Sequence, residues 1–339
     1  MNVSIKQGRR TRICTSKKDL FSLPLLGIFL GVILIIGSLI SACSIMRSYA
    51  RPLDQFPWRL VWSDEFNGPA GTGVDQAQWI YDTGTGYGCA GCPPNWGTGE
   101  IETMSSSTDN VYQDGNGHLA IKPIRNSEGN WTSGRIETQR TDFEPPPNGS
   151  LAVEASIQQP NVSGDAAAGY WPAFWMLGSP FRGNYLNWPD IGEIDIMEDV
   201  NGLSSEFATL HCGTSPGGPC NETTGIGSGQ RPCVGCQTDF HTYRVEFDKS
   251  ITPQQIRWYL DGVNFFTVIS DQVDLLTWNN ATNHGFFIIL DVAMGGGFPA
   301  AFGGGPTGST ISGIPMLIDY VRVYEKPLLN NFLPLVNRK

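Results

Sequence analysis

The chain has 339 residues, of which 40% are hydrophobic, 11% aromatic and 16% charged; this is a globular composition, poorer in charge than most soluble domains, and it excludes disorder for most of the length. The net charge of −10 hides an asymmetry, because seven of the 22 Lys and Arg but only Asp19 among the 32 acids fall in residues 1–50, leaving about −16 on the remainder. So acidic a domain repels phosphate backbones, which excludes nucleic acid as a partner.

In chain order, residues 1–20 form a basic segment with Lys6, Arg9, Arg10, Arg12, Lys17 and Lys18. Residues 21–46 carry no charge and are long enough to enter a bilayer, which needs about 20 apolar residues. The basic flank keeps the N-terminus in the cytosol and directs the remainder of the chain to the cell surface, the membrane being a partner through this segment. Ile40-Ser-Ala-Cys43 resembles a bacterial lipobox, so an uncleaved signal anchor and a lipidated Cys43 both stay open. Residues 47–57 read as a linker, 58–326 as the folded domain and 327–339 as a tail.

Within the domain, short apolar or alternating runs are punctuated by Gly and Pro. They include Trp58–Trp62, His118–Lys122, Ser150–Ile157, His241–Phe247, Gln255–Leu260 and Leu317–Tyr324. Many short strands with turn signals predict an all-β sandwich or barrel. Asp261-Gly262 ahead of Val263–Val268 predicts a two-residue hairpin. No long stretch carries helical periodicity with caps.

Six cysteines lie beyond the apolar segment: Cys89, Cys92, Cys212, Cys220, Cys233 and Cys236. Two Cys-x-x-Cys pairs have zinc-ribbon spacing, but outside the cell disulfides are the default. Pairing within loops is expected, Cys212 with Cys220 first. No His-Glu-x-x-His, Gly-x-Ser-x-Gly or phosphate-loop pattern is present.

The segment Gly192-Glu-Ile-Asp-Ile-Met-Glu198 carries the chemistry. In a strand Glu193 and Asp195 share one face, with Ile194 and Ile196 on the other. Glu198 joins the acids if one extra residue near Ile196-Met197 is taken up in a β-bulge. Three carboxylates with no interleaved cation resist joint ionisation, an arrangement that suits catalysis better than structure. Two of them about 5–5.5 Å apart serve retaining glycoside hydrolysis.

Glu193-Ile-Asp-Ile-Met-Glu198 is similar to the bulged signature of glycoside hydrolase family 16, laminarinase-like branch. Further resemblance runs through Leu60-Val-Trp-Ser-Asp-Glu-Phe-Asn67, Gly97-Thr-Gly-Glu-Ile-Glu102, Ser133-Gly-Arg-Ile136, Gly169–Leu177 and Ile318–Tyr324. The resemblance implies a jelly-roll sandwich of two antiparallel sheets with a concave carbohydrate-binding cleft. It implies Glu193 as nucleophile, Glu198 as general acid/base and Asp195 as the assisting carboxylate of an endo-acting hydrolase of β-1,3-glucan, extending to mixed β-1,3-1,4 linkages. A wall-polysaccharide transglycosylase and a non-catalytic glucan-binding protein are the alternatives on the same fold. Trp171, Trp175, Trp188 and Trp96 are candidates for stacking on sugars, and Arg135, Glu100 and His211 for hydrogen bonds to sugar hydroxyls. Gly97-Thr-Gly-Glu100 departs from the Gly-x-Asn-Glu of laminarinases. Gly295–Gly297 and Gly303–Gly305 shape a loop near Phe298. The protein is expected to act as a monomer without a required cofactor, with a structural calcium near Glu65 and Asp319 as a further expectation.

Overall fold

The computed structural model describes residues 57–327; the expected anchor, the linker up to residue 56 and the tail beyond residue 327 lie outside them. Two large antiparallel sheets form the domain. The first runs in the order Val263–Ile269, Gln255–Leu260, His241–Asp248, Ser150–Gln158, Met316–Lys326, Leu119–Ile121, Val111–Gln113. The eleven-residue strand Met316–Lys326 pairs with Ser150–Gln158 along one edge. Along the other it pairs end to end with Leu119–Ile121 and with Arg59–Asp64. Each run named in the sequence falls on one of these strands, displaced by a residue or two at its ends. Asp261 and Gly262 take φ of 50° and 75°, the left-handed pair that a two-residue hairpin needs.

The second sheet runs Ile226–Gly227, Ser205–His211, Glu193–Glu198, Tyr170–Gly178, Phe286–Met294, Arg135–Thr138, Trp79–Asp82. A small third sheet holds Thr103–Met104, Trp131–Ser133 and Ile124–Arg125. Alternation along Tyr170–Gly178 divides it cleanly. Phe174 and Met176 are buried in the main core, while Trp171, Ala173, Trp175 and Leu177 face the cleft. Its neighbour Phe286–Met294 repeats the pattern, with Leu290 and Val292 in the core and Asp291 and Ala293 at the cleft. The core between the sheets is closed by Val153, Val245, Trp258, Val321 and Val323 from the first sheet against Ile194, Ile196, Ile288 and Leu290 from the second. Trp258 also donates its indole N–H to the Asp195 carbonyl oxygen at 2.8 Å, tying one sheet to the backbone of the acidic strand in the other.

The helix Leu275–Thr282, which sequence periodicity did not signal, is eight residues long and starts on an Asp274 cap that accepts from Leu276 N and Thr277 N. It is shorter than the window over which a periodic stripe becomes legible. Among the described residues, no helix is long and apolar enough to cross a membrane.

The described cysteines pair as Cys89–Cys92, Cys212–Cys220 and Cys233–Cys236. Near Glu65, both carboxylate oxygens are held by the two arms of Arg322, at 2.9 and 2.7 Å.

Candidate active site

The strand Glu193–Glu198 lies between Tyr170–Gly178 and Ser205–His211. Asp195 is opposite Thr209 and Glu198 opposite Phe207, so three steps on the acidic strand match two on its partner. The bulge at Ile196-Met197 restores Glu198 to the face of Glu193 and Asp195. Ile194, Ile196 and Met197 are buried at 1% exposure or less, and they fix the strand so that the acids must face outward.

Outward is a cleft of about 370 Å³ whose lining includes all three carboxylates together with Trp171, Trp175, Trp188, Trp96, Arg135 and Glu100. Three of the four indoles have a carboxylate partner. Trp171 donates to Glu198 Oε1 at 2.8 Å, Trp188 to Glu193 Oε2 at 3.1 Å, and Trp175 to Asp291 Oδ1 at 2.7 Å. An indole offers a broad apolar face with one polar handle, and here three of the handles are spent on acids.

Arg135 is buried with its guanidinium 4.6 Å from the Trp96 ring and 4.8 Å from the Trp175 ring, its Nε donating to Asp82 Oδ2 at 3.0 Å. Glu100 is also buried, one oxygen accepting from Thr98 Oγ1, and its carboxyl meets that of Glu102, which burial and Glu100 push well above the carboxylate range; Trp96 Nε1 has no protein partner. Buried polar atoms are nearly always satisfied, so the unpartnered Trp96 N–H in the lining suits a hydroxylated ligand. His211 is not part of the lining; both its ring nitrogens face carboxylates, Nδ1 at 2.7 Å from Glu222 Oε2 and Nε2 at 3.3 Å from Asp195 Oδ2. The latter is an ion-pair distance without a well-aligned hydrogen bond.

The electrostatics follow from burial. Loss of solvent, and then the Asp195 charge, push Glu193 up to about 8, with His211 acting in the opposite sense. The same two causes raise Glu198 well above the carboxylate range, which the Trp171 hydrogen bond partly counters. Burial alone would discharge His211, but the adjoining Asp195 carboxylate and the hydrogen bond to Glu222 outweigh it and hold the imidazole well above its ordinary 6.5. Asp291, desolvated beside Arg135, is pushed up to about 7.

Sequence reasoning did not single out Tyr87, Asp291 or Glu222. Asp291 could have been found as the lone acid in the apolar run Phe286–Met294. Tyr87 and Glu222 sit in loops with no pattern to mark them. Tyr87 stacks on Tyr185 with centroids 4.8 Å apart and meets Trp96 edge-on at 5.0 Å.

Residues 148–242 match the family model described as XgeA-like, catalytic GH16 domain. The chain is 34% identical to the glucan endo-1,3-beta-glucosidase A1 of Niallia circulans, over 79% of this chain and 38% of that protein. It spans well under half of that relative's length. Identity to the beta-glucanase of Rhodothermus marinus is 30%, over 85% of this chain and 92% of the relative. The crystal structure of the endo-1,3-beta-glucanase from Streptomyces sioyaensis is 61% identical, covering 82% of this chain and 100% of that one with a TM-score of 0.78. With the bulged acidic strand, the aromatic cleft and relatives matched over nearly their whole length, the chain belongs to glycoside hydrolase family 16.

Proposed function

We propose that the protein is an endo-acting, retaining hydrolase of β-1,3-glucans, with Glu193 as nucleophile, Glu198 as general acid/base and Asp195 as the assisting carboxylate. The observation that carries this is the bulge at Ile196-Met197, which sets three carboxylates in one row on the floor of an aromatic-walled cleft. The relatives named as glucan endo-1,3-beta-glucosidase and endo-1,3-beta-glucanase support the substrate class. Glu198, held protonated by burial and the neighbouring charge, protonates the departing oxygen. Glu193 closes on the anomeric carbon to form a glycosyl ester, and Glu198, now ionised, takes a proton from the incoming water. Asp195, between the two, resists a second negative charge on either neighbour; His211, 4.0 Å from Glu193, relieves that at Glu193 and so leaves the proton on Glu198. Trp188 keeps its N–H on Glu193 and steadies the anion that attacks.

The test is proton NMR of the first hemiacetal released from laminarin, which should keep the β configuration. Glu193→Ala should lower kcat by several orders of magnitude while leaving the fold intact, with azide restoring turnover as the inverted glycosyl azide. An inverted anomer from the wild type would reject the two-step route and the roles with it. Reducing ends from agarose but none from laminarin or curdlan would reject the substrate.

We further read the acidic domain as tethered outside the cell through residues 21–46. The basic flank and the uncharged apolar run support this, as do three disulfides, which persist in oxidising compartments. The full-length protein should fractionate with membranes, and palmitate labelling lost in Cys43→Ala would distinguish lipidation from a spanning anchor. Recovery of the full-length protein in the soluble cytosolic fraction would reject the tether.

A further inference from the structure

We propose that Glu222 is a positioning residue for the carboxylate row: through His211 it keeps a cation beside Glu193 and Asp195. This rests on the reading of the cleft as a glycosidase site. The Glu222 side chain is fully buried and sits just past a loop closed by the Cys212–Cys220 disulfide, which folds the chain back against the end of the strand Ser205–His211. One carboxylate oxygen accepts from Cys212 N at 2.9 Å, and the other lies 2.7 Å from His211 Nδ1. His211 in turn stands directly opposite Glu193 in the strand register. Its Nε2 is 3.3 Å from Asp195 Oδ2 and 4.0 Å from Glu193 Oε1. At Gly225, with φ of 72°, a Cβ would come within 3.0 Å of the imidazole and 2.4 Å of Thr209 Cγ2, so the absence of a side chain lets the loop lie flat on the ring.

The chemistry follows from the donor count. A neutral imidazole has one N–H, and with carboxylates at both nitrogens it would turn a lone pair on one of them; only the imidazolium donates to both. The groups facing the ring are Glu193 and Asp195 from the acidic strand, Glu222 from the loop, and the Trp188 ring at 5.6 Å. Arg135 is engaged at the Asp82 end of the cleft. His211 is therefore the cation that stabilises an ionised Glu193 next to Asp195, and Glu222 is the group that keeps it charged and aimed.

The test is Glu222→Gln. The amide oxygen can still accept from Cys212 N, which leaves the amide NH2 against His211 Nδ1. The imidazole must then accept there and give up its charge, keeping Nε2–H towards Asp195. The expected result, by nitrogen-15 NMR, is a fall of more than about one unit in the pH at which His211 titrates, an opposite charge at this range shifting a pKa by about 1–3 units. The acid limb of kcat/KM on laminarin, set by ionisation of Glu193, should rise by about one pH unit. Loss of the Glu222 charge acts on Glu193 in the opposite sense, but from across the ring, so loss of the imidazolium at 4.0 Å dominates. The wild type supplies a reading that needs no variant: both ring N–H signals of His211 should persist above its ordinary 6.5. A wild-type His211 that titrates at that ordinary value overturns the assignment. So does a folded Glu222→Gln protein with reduced kcat but an unmoved His211 titration and acid limb. A wild type inert on every β-glucan, with His211 still losing its charge in Glu222→Gln, would sink the hydrolase reading and leave the Glu222 assignment standing.

Discussion

Trp171 and Glu198 show how a single hydrogen bond tunes the acid of the pair. The indole N–H at 2.8 Å favours the carboxylate form, against desolvation and the Asp195 charge, which favour the acid. Trp171→Phe removes the donor, so Glu198 should hold its proton to still higher pH. Because the reading above needs Glu198 protonated, the alkaline limb of kcat/KM should move up, by about one pH unit for a hydrogen bond to a charged acceptor worth about 1.5 kcal/mol or more. A limb that stays put or moves down would remove Glu198 as the group that titrates there. At this scale the sequence was informative only where residues are adjacent. Glu193, Asp195 and Glu198 could be read together because they share one strand. Asp195 and His211 could not, since they meet across two strands, and Glu222 reaches His211 only through a disulfide-closed loop.

Among the elements, the hairpin of Asp261 and Gly262 joins two strands of the sheet that does not line the cleft. Gly262 adopts φ of 75°, and a Cβ added there would have nothing within 4 Å, so a side chain meets no clash and is opposed by backbone strain alone. Gly262→Val should therefore cost about 1–2 kcal/mol in urea unfolding, the penalty of a left-handed residue with a Cβ, with kcat/KM on laminarin unchanged. A loss of activity without loss of stability would mean that the two sheets are coupled in a way their separate roles do not explain. The hairpin was legible because its turn chemistry is local. The helix Leu275–Thr282 was not, because its start depends on one Asp274 side chain and its length is only eight residues.

For the whole molecule, buried acids set the response of stability to pH. Burial pushes Glu193 up to about 8 and Asp199 to about 7, and raises Glu206 well above its ordinary 4.5, that residue being fully buried with neither carboxylate oxygen partnered. A carboxyl whose folded pKa lies above its unfolded value binds more protons in the folded state. Its contribution is fully present below the unfolded pKa and is lost as pH rises towards the folded one. The raised His211 has the same sign. Stability should accordingly fall from about pH 5 to about pH 8. Carboxyls held low, such as Glu65 beside Arg322, act only in the acid range below. Glu206→Gln, which removes a charge that has no partner, should flatten that fall, raising the melting temperature more at the alkaline end than at pH 5. Parallel melting curves for wild type and variant across the range would count against Glu206 as a contributor.

The sequence by itself determined whatever rests on neighbours along the chain. The alternation and turns of Gln255–Ile269, the apolar anchors of the acidic strand, and the extra residue that returns Glu198 to the face of Glu193 all follow from backbone periods of two residues and from local turn chemistry. The tertiary structure alone decided what depends on contacts between distant segments. It sets Trp171 on Glu198, packs Arg135 against Trp96 and Trp175, and brings Glu222 to His211. Those pairings are fixed by strand register and by loop closure, which place side chains from separate strands and loops 2.7–4.8 Å from one another. No pattern within a single segment encodes such distances, because each is the joint result of several backbones packing together.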